Sequence, residues 1–164
     1  MTIVHWIDLF TRSDYVCEVM KSLQYCQEKK GLLIYAWVVM PSHIHLIVSS
    51  EKEDLSGIIR DFKKFSNRKI INLLSEINES RKEWLLNAFA KAGSKLKRIR
   101  SFKIWQDGSH PVLLEDNKMI DQRLRYLHAN PVVAGVVAED FHYKFSSASS
   151  YAGQVGLMNV KLIE

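Results

Sequence analysis

Two cysteines, three prolines and seven glycines among 164 residues exclude a disulfide-rich scaffold and leave no proline- or glycine-rich linker. Cys17 and Cys26 stand nine positions apart on a segment read below as helix, where they face opposite sides. Neither a bridge between them nor a Cys-x-x-Cys site is indicated, and a reducing compartment fits. No unbroken apolar run approaches the roughly 18 to 20 residues that a membrane span requires, and the N-terminus lacks the basic-then-apolar order of a signal peptide. A cytoplasmic protein is expected. No internal repeat divides the chain, so a single domain over 1–164 is expected, long enough to bury a core without staples. The hydrophobic share of 47% and charged share of 25% are those of an ordinary globular protein. The charge is unbalanced, however: a net +5 and a pI near 9.2 favour contact with polyanions without saying which.

Apolar periodicity orders the chain. Thr2 to Leu9 is β-branched and aromatic enough for a strand. After a cap at Thr11 or Ser13, the recurrence of Val16, Val19, Met20, Leu23 and Cys26 predicts a helix stopped by Gly31. Leu32 to Met40 and His43 to Ser49 read as strands joined by a Pro41-Ser42 turn. A long amphipathic helix from Leu55 carries Ile58, Ile59, Phe62 and Phe65 on one face and continues to Ile77. Glu79 to Ala92 predicts another helix, ended by Gly93. Short strands are expected at Phe102 to Gln106 and Pro111 to Leu114, around Asp107-Gly108. Asn117 then caps a helix with Ile120, Leu124 and Leu127 on its core side, which Pro131 should end near Asn130. Residues 132–164 read as an irregular C-terminal tail. Strand, helix, strand, strand, helix, strand is the split βαβ order of an α+β ferredoxin-like sandwich, an antiparallel sheet with helices on one face.

One strand carries more than packing. In His43-Ile44-His45 the period of two puts both imidazoles on the same sheet face, at a spacing that can chelate one metal ion. Alone, such a pair is more often two half-exposed histidines, and a third ligand and a reactive group are needed to make a site. Tyr126 and Asn130 lie one turn apart on the last long helix, so a phenol and a carboxamide oxygen can face one place together. Two histidines and an amide oxygen leave open positions on a hard divalent ion for a phosphate oxygen. Arg60, Lys63, Lys64 and Arg68 decorate the long helix, and Lys95, Lys97, Arg98, Arg100 and Lys103 place five cations in nine residues with no acid between them. With Trp105 these residues offer a cationic track and an aromatic face for an unstacked strand of nucleic acid. The same cations can be merely solvated. His5 and His128 read as surface or packing residues, and His110, near the basic run, as a phosphate contact or, more in keeping with its surroundings, a turn cap.

His43-Ile44-His45 after Met40-Pro41-Ser42, with Tyr126-Leu127-His128-Ala129-Asn130-Pro131-Val132 and Ala134-Gly135, resembles the single-tyrosine transposases of the HUH superfamily. The resemblance is to the insertion-sequence-200-like and REP-associated group. It extends over Trp6 to Arg12, Asp61 to Phe65, Arg81 to Trp84, and Trp105-Gln106 through His110-Pro111. It implies an HUH endonuclease fold, with Tyr126 as nucleophile and His43, His45 and Asn130 as ligands of Mg²⁺ or Mn²⁺. It implies cutting and rejoining of single-stranded DNA beside a hairpin through a covalent 5′-phosphotyrosine, with no nucleotide cofactor. Relatives act as dimers or alone, so a homodimer stays open. Two positions depart from the group's pattern: the first strand starts late, at Met1-Thr2-Ile3-Val4, and Val133 stands where a basic residue is common. The competing readings are a domesticated protein that binds hairpin DNA without cutting it, and a metal-dependent hydrolase that uses water in place of Tyr126.

Overall fold

The computed structural model describes residues 1–94, 102–109 and 111–163. At its centre the β-branched and aromatic run of β1 (Leu32–Met40) turns at Pro41-Ser42 and pairs antiparallel with β2 (His43–Ser50). Val38 faces His45 and Met40 faces His43, with a register irregularity between Ile34 and Ala36. Alternation along β2 sends Ile44, Leu46 and Val48 to one side, where they join the main core. The opposite side receives His43, His45 and Ile47, and Ile47 packs with Ala36, Val38 and Met40 of β1.

Helices α1 (Ser13–Lys30) and α2 (Leu55–Glu76) cover the first side, contributing Val16, Val19, Leu23, Ile58, Phe62 and Ile70 to that core. Gly31 ends α1 with φ 70 and donates its N–H to Cys26, a left-handed cap that a side chain would strain. Helix α1 has no side-chain cap at its start: Arg12 stands at the N-cap position, and Thr11 donates its hydroxyl to Asp8 O. Asp54 caps α2 by accepting from the Gly57 N–H at 3.0 Å.

Two of the expected strands shrink to single bridges. Thr2 pairs with His43 and Ile3 with Trp105, and the chain then coils into short 3-10 turns at Val4–Trp6 and Leu9–Thr11. The reason is burial: Ile3, Val4, Ile7, Leu9 and Phe10 all enter the core, and adjacent residues cannot share one strand face. Residues 111–114 form no strand, and Val112 and Leu113 are exposed. Across the sheet the order is Trp105, Thr2–Ile3, β2 and β1, all antiparallel, which keeps the split βαβ path in an α+β fold.

Helix α3 (Lys82–Ser94) starts later than its periodicity suggests, after a buried acid at Glu79. The Glu79 carboxylate accepts from Tyr15 Oη at 3.1 Å, from the Arg81 backbone N–H at 3.0 Å and from the Arg81 guanidinium at 3.2 and 3.3 Å. Helix α4 (Asn117–Val133) is capped by Asp116, not Asn117, and runs past Asn130 through Pro131. Proline deprives the Leu127 carbonyl of its usual i+4 donor, and the Asn130 side-chain amide supplies one at 3.3 Å. The tail is ordered by β1: Phe145 O accepts from Val39, Ser147 donates to Trp37 O, and Lys161 donates to Ile34 O. Its last helix is α5 (Ala148–Tyr151). No described helix is long and apolar enough to cross a membrane.

Candidate active site

The second side of the hairpin is covered by α4, whose Leu124 and Leu127 pack on Ala36, Val38, Met40 and Ile47. Leu127 is buried there, so Tyr126, one step around the helix, emerges at the edge of the contact and is 56% exposed. Its ring meets His45 edge to face, with centroids 5.8 Å apart. His45 in turn lies 4.9 Å from His43 at an interplanar angle of 89°. Two residues from a strand and one from a helix some eighty positions later thus form a continuous row of rings.

Both imidazoles are held in their neutral form. Burial, the neighbouring His43 and the Met1 ammonium lower the pKa of His45 to about 4. Burial, then the same ammonium, lowers that of His43. Both rings are therefore neutral at pH 7, each with a nitrogen lone pair. Ser42 Oγ sits 3.2 Å from His43 Nδ1 and engages that nitrogen, so Nε2 is the ring nitrogen that contact leaves over. Asn130 donates its amide to Tyr126 O at 2.7 Å as well as to Leu127 O, which commits its nitrogen to the turn of α4 that carries Tyr126. Among the described residues no group of three or more His, Cys, Asp and Glu could hold a metal. By type, two imidazole nitrogens and an amide oxygen suit a hard divalent ion, but among the described residues the cleft that His45 and Tyr126 line takes in neither His43 nor Asn130.

Residues 8–92, just over half of the chain, match the family described as "Transposase IS200 like". The chain belongs to the IS200-like transposase family. The matched segment contains the histidine pair and stops short of α4. A solved structure of a REP-associated tyrosine transposase bound to a REP hairpin is similar over 99% of this chain and 84% of its own, with a TM-score of 0.60 at 18% identity. A comparison with curated proteins found no match.

In this IS200-like chain the ring row opens into a cleft of about 920 Å³ whose lining includes His45, Tyr126, Arg60, Lys63, Ser109 and Arg123. Lys63 crosses it to donate to Ser109 Oγ at 2.9 Å, and burial there lowers its pKa. Arg60 keeps its guanidinium largely in solvent, 3.4 Å from Asp61. Arg123 was missed from the sequence, although its spacing of one turn before Tyr126 was the available signal.

The other expected DNA contacts are not gathered there. Lys64 and Arg68 line a second hollow of about 490 Å³ between α1 and α2, with Tyr25 and Phe65. One residue of helix rotates the side chain by roughly 100°, which separates Lys64 from Lys63. Lys103 is held by Asp107. Trp105 is corrected outright: it is 4% exposed, packs between Phe10 and Phe62, and donates Nε1–H to Ser66 Oγ at 2.9 Å. A buried indole has no face to offer a base. Lys95, Lys97, Arg98 and Arg100 of the basic run, and His110, lie outside the described residues. His128 is buried against Tyr151 and paired with Ser147 Oγ, a packing residue.

Proposed function

We propose that this IS200-like transposase cuts and rejoins single-stranded DNA beside a hairpin, with Tyr126 as nucleophile and His43, His45 and Asn130 as holders of Mg²⁺ or Mn²⁺. The observation that carries the reading is the 5.8 Å approach of Tyr126 to His45 within the cationic cleft. The hairpin bound by the REP-associated transposase of similar fold supports hairpin DNA as the ligand. The contact of His45 with Tyr126 within one chain supports a nucleophile that acts in cis.

Arg60, Lys63 and Arg123 draw the phosphate backbone into the cleft and fix its register. Tyr126 Oη attacks the scissile phosphorus. As that bond forms, the P–O3′ bond breaks, the phenolic proton passes to solvent and the departing oxygen takes one up. The products are a free 3′ hydroxyl and a 5′-phosphotyrosine. A bound divalent ion would polarise the phosphate and stabilise the charge of the crowded transition state. The reverse attack by a 3′ hydroxyl rejoins the strand, and the phosphotyrosine conserves the bond energy, so no nucleotide triphosphate is consumed. Incubation with a labelled hairpin oligonucleotide and Mn²⁺ or Mg²⁺ should yield a covalent adduct that denaturing electrophoresis resolves. The adduct should vanish in Tyr126→Phe and in EDTA, and its persistence in Tyr126→Phe would overturn the assignment.

A further inference from the structure

Between the Ile3 bridge and α1 two successive bulky residues occupy the left-handed backbone region, His5 at φ 57 and Trp6 at φ 56. Side chains other than glycine resist that conformation, and it persists where the flanking chain imposes it. Here the flanks do so: Ile3, Val4 and Ile7 are buried, Val4 donates to Ile104 O at 2.8 Å, and Trp6 donates to Ile3 O at 3.0 Å.

The usual return for constraining a tryptophan is burial of its ring, as Trp37 and Trp105 illustrate at 0% and 4% exposure. Trp6 is 60% exposed. The strained turn thus presents a large apolar ring to solvent, and it does so at one place in particular: the indole centroid lies 5.6 Å from His43 at an interplanar angle of 68°. Trp84, also exposed at 56%, lies on α3. A ring so held extends the row Tyr126, His45, His43 by one member, beside where the proposed function puts the scissile phosphate.

We infer that Trp6 is the platform on which a nucleobase next to the scissile phosphate stacks. The inference rests on the proposed DNA substrate, and it deepens that reading by naming the group that holds the unpaired base. An unstacked base needs an aromatic face, and the expected provider, Trp105, is in the core. Stacking of this kind tolerates any base, so Trp6 contributes grip and register more than sequence choice.

The test measures binding alone, by fluorescence anisotropy of a hairpin oligonucleotide with a single-stranded flank, in EDTA. Wild type and Trp6→Ala are each titrated with the intact oligonucleotide and with a set carrying one abasic position at a time. Trp6→Ala should weaken binding by about tenfold, within the range of one base–aromatic stack. One abasic position should weaken wild type by a similar factor and leave Trp6→Ala unchanged. Trp6→Gly, which relieves the positive φ, should unfold at higher denaturant than wild type yet bind as weakly as Trp6→Ala; a ring needed only for packing would lose stability instead. If the losses from Trp6→Ala and from every abasic position multiply, or if Trp6→Ala binds like wild type, the platform is refuted while the transposase reading stands. If wild type binds no hairpin oligonucleotide, both fall. If the coupling appears but Tyr126→Phe still forms adduct, only the catalytic reading fails.

Discussion

Replacing Glu79 by glutamine should expose how the segment leading to α3 is held. The carboxylate is buried, and burial alone would raise its pKa. Hydrogen bonds from Arg81 and Tyr15 outweigh that cost and hold it at about 2, against an ordinary 4.5. A depressed carboxylate stabilises the fold above its unfolded pKa and loses that contribution as pH falls toward the folded value. The difference of about 2.5 units corresponds to about 3 kcal/mol at pH 7, falling to about 1 kcal/mol at pH 3. For a chain of this length the loss at pH 7 should lower Tm by roughly 6 to 12 °C. The same network pins Arg81 to Asp8 O at 3.2 Å and Arg12 to Asn78 O at 2.7 Å, so it also fixes the loop that follows Trp6. Urea denaturation of wild type and Glu79→Gln at pH 7 and pH 3 measures the effect. A deficit of the same size at both pH values, or one below about 0.5 kcal/mol at pH 7, would refute the electrostatic account.

Further outcomes follow from individual contacts. Asn130→Ala should cost about 1 kcal/mol by baring the Leu127 carbonyl, and adding Pro131→Ala should recover that stability while adduct formation stays lost; recovery of both would remove Asn130 from the proposed ligand set. Lys63→Ala should weaken hairpin binding and reduce its salt slope by about one, whereas Lys64→Ala, in the other hollow, should leave the slope unchanged when titrated by anisotropy. Gly31→Ala should destabilise by about 1 kcal/mol or more in denaturant titration, since φ 70 strains any side chain and the new Cβ meets Glu51 Oε2 at 3.0 Å.

Much of this was legible in the chain because it depends on neighbours in sequence. The apolar spacing from Val16 to Cys26 and from Leu55 onward gave α1 and α2, and Gly31 marked its own cap. Pro131 misled, because a proline usually ends a helix; the Asn130 side chain restores a donor that periodicity cannot register. The segment 2–9 misled for another reason: β-branched content suggests a strand, while four core-directed residues in mixed phase require turns.

The amino-acid order alone determined that His43 and His45 share a face, since that follows from the period of two in any strand. It also determined that Tyr126 and Asn130 stand one turn apart. Only the tertiary structure decided that α4 lies on the histidine side of the hairpin, which depends on Leu124 and Leu127 finding Ala36, Val38 and Met40 about ninety residues away. Packing between distant elements likewise buried Trp105, set Trp6 in solvent beside His43, and gave Lys63 but not Lys64 to the cleft. Local periodicity fixes which way a side chain leaves its own element, and long-range burial of apolar surface fixes what it then meets.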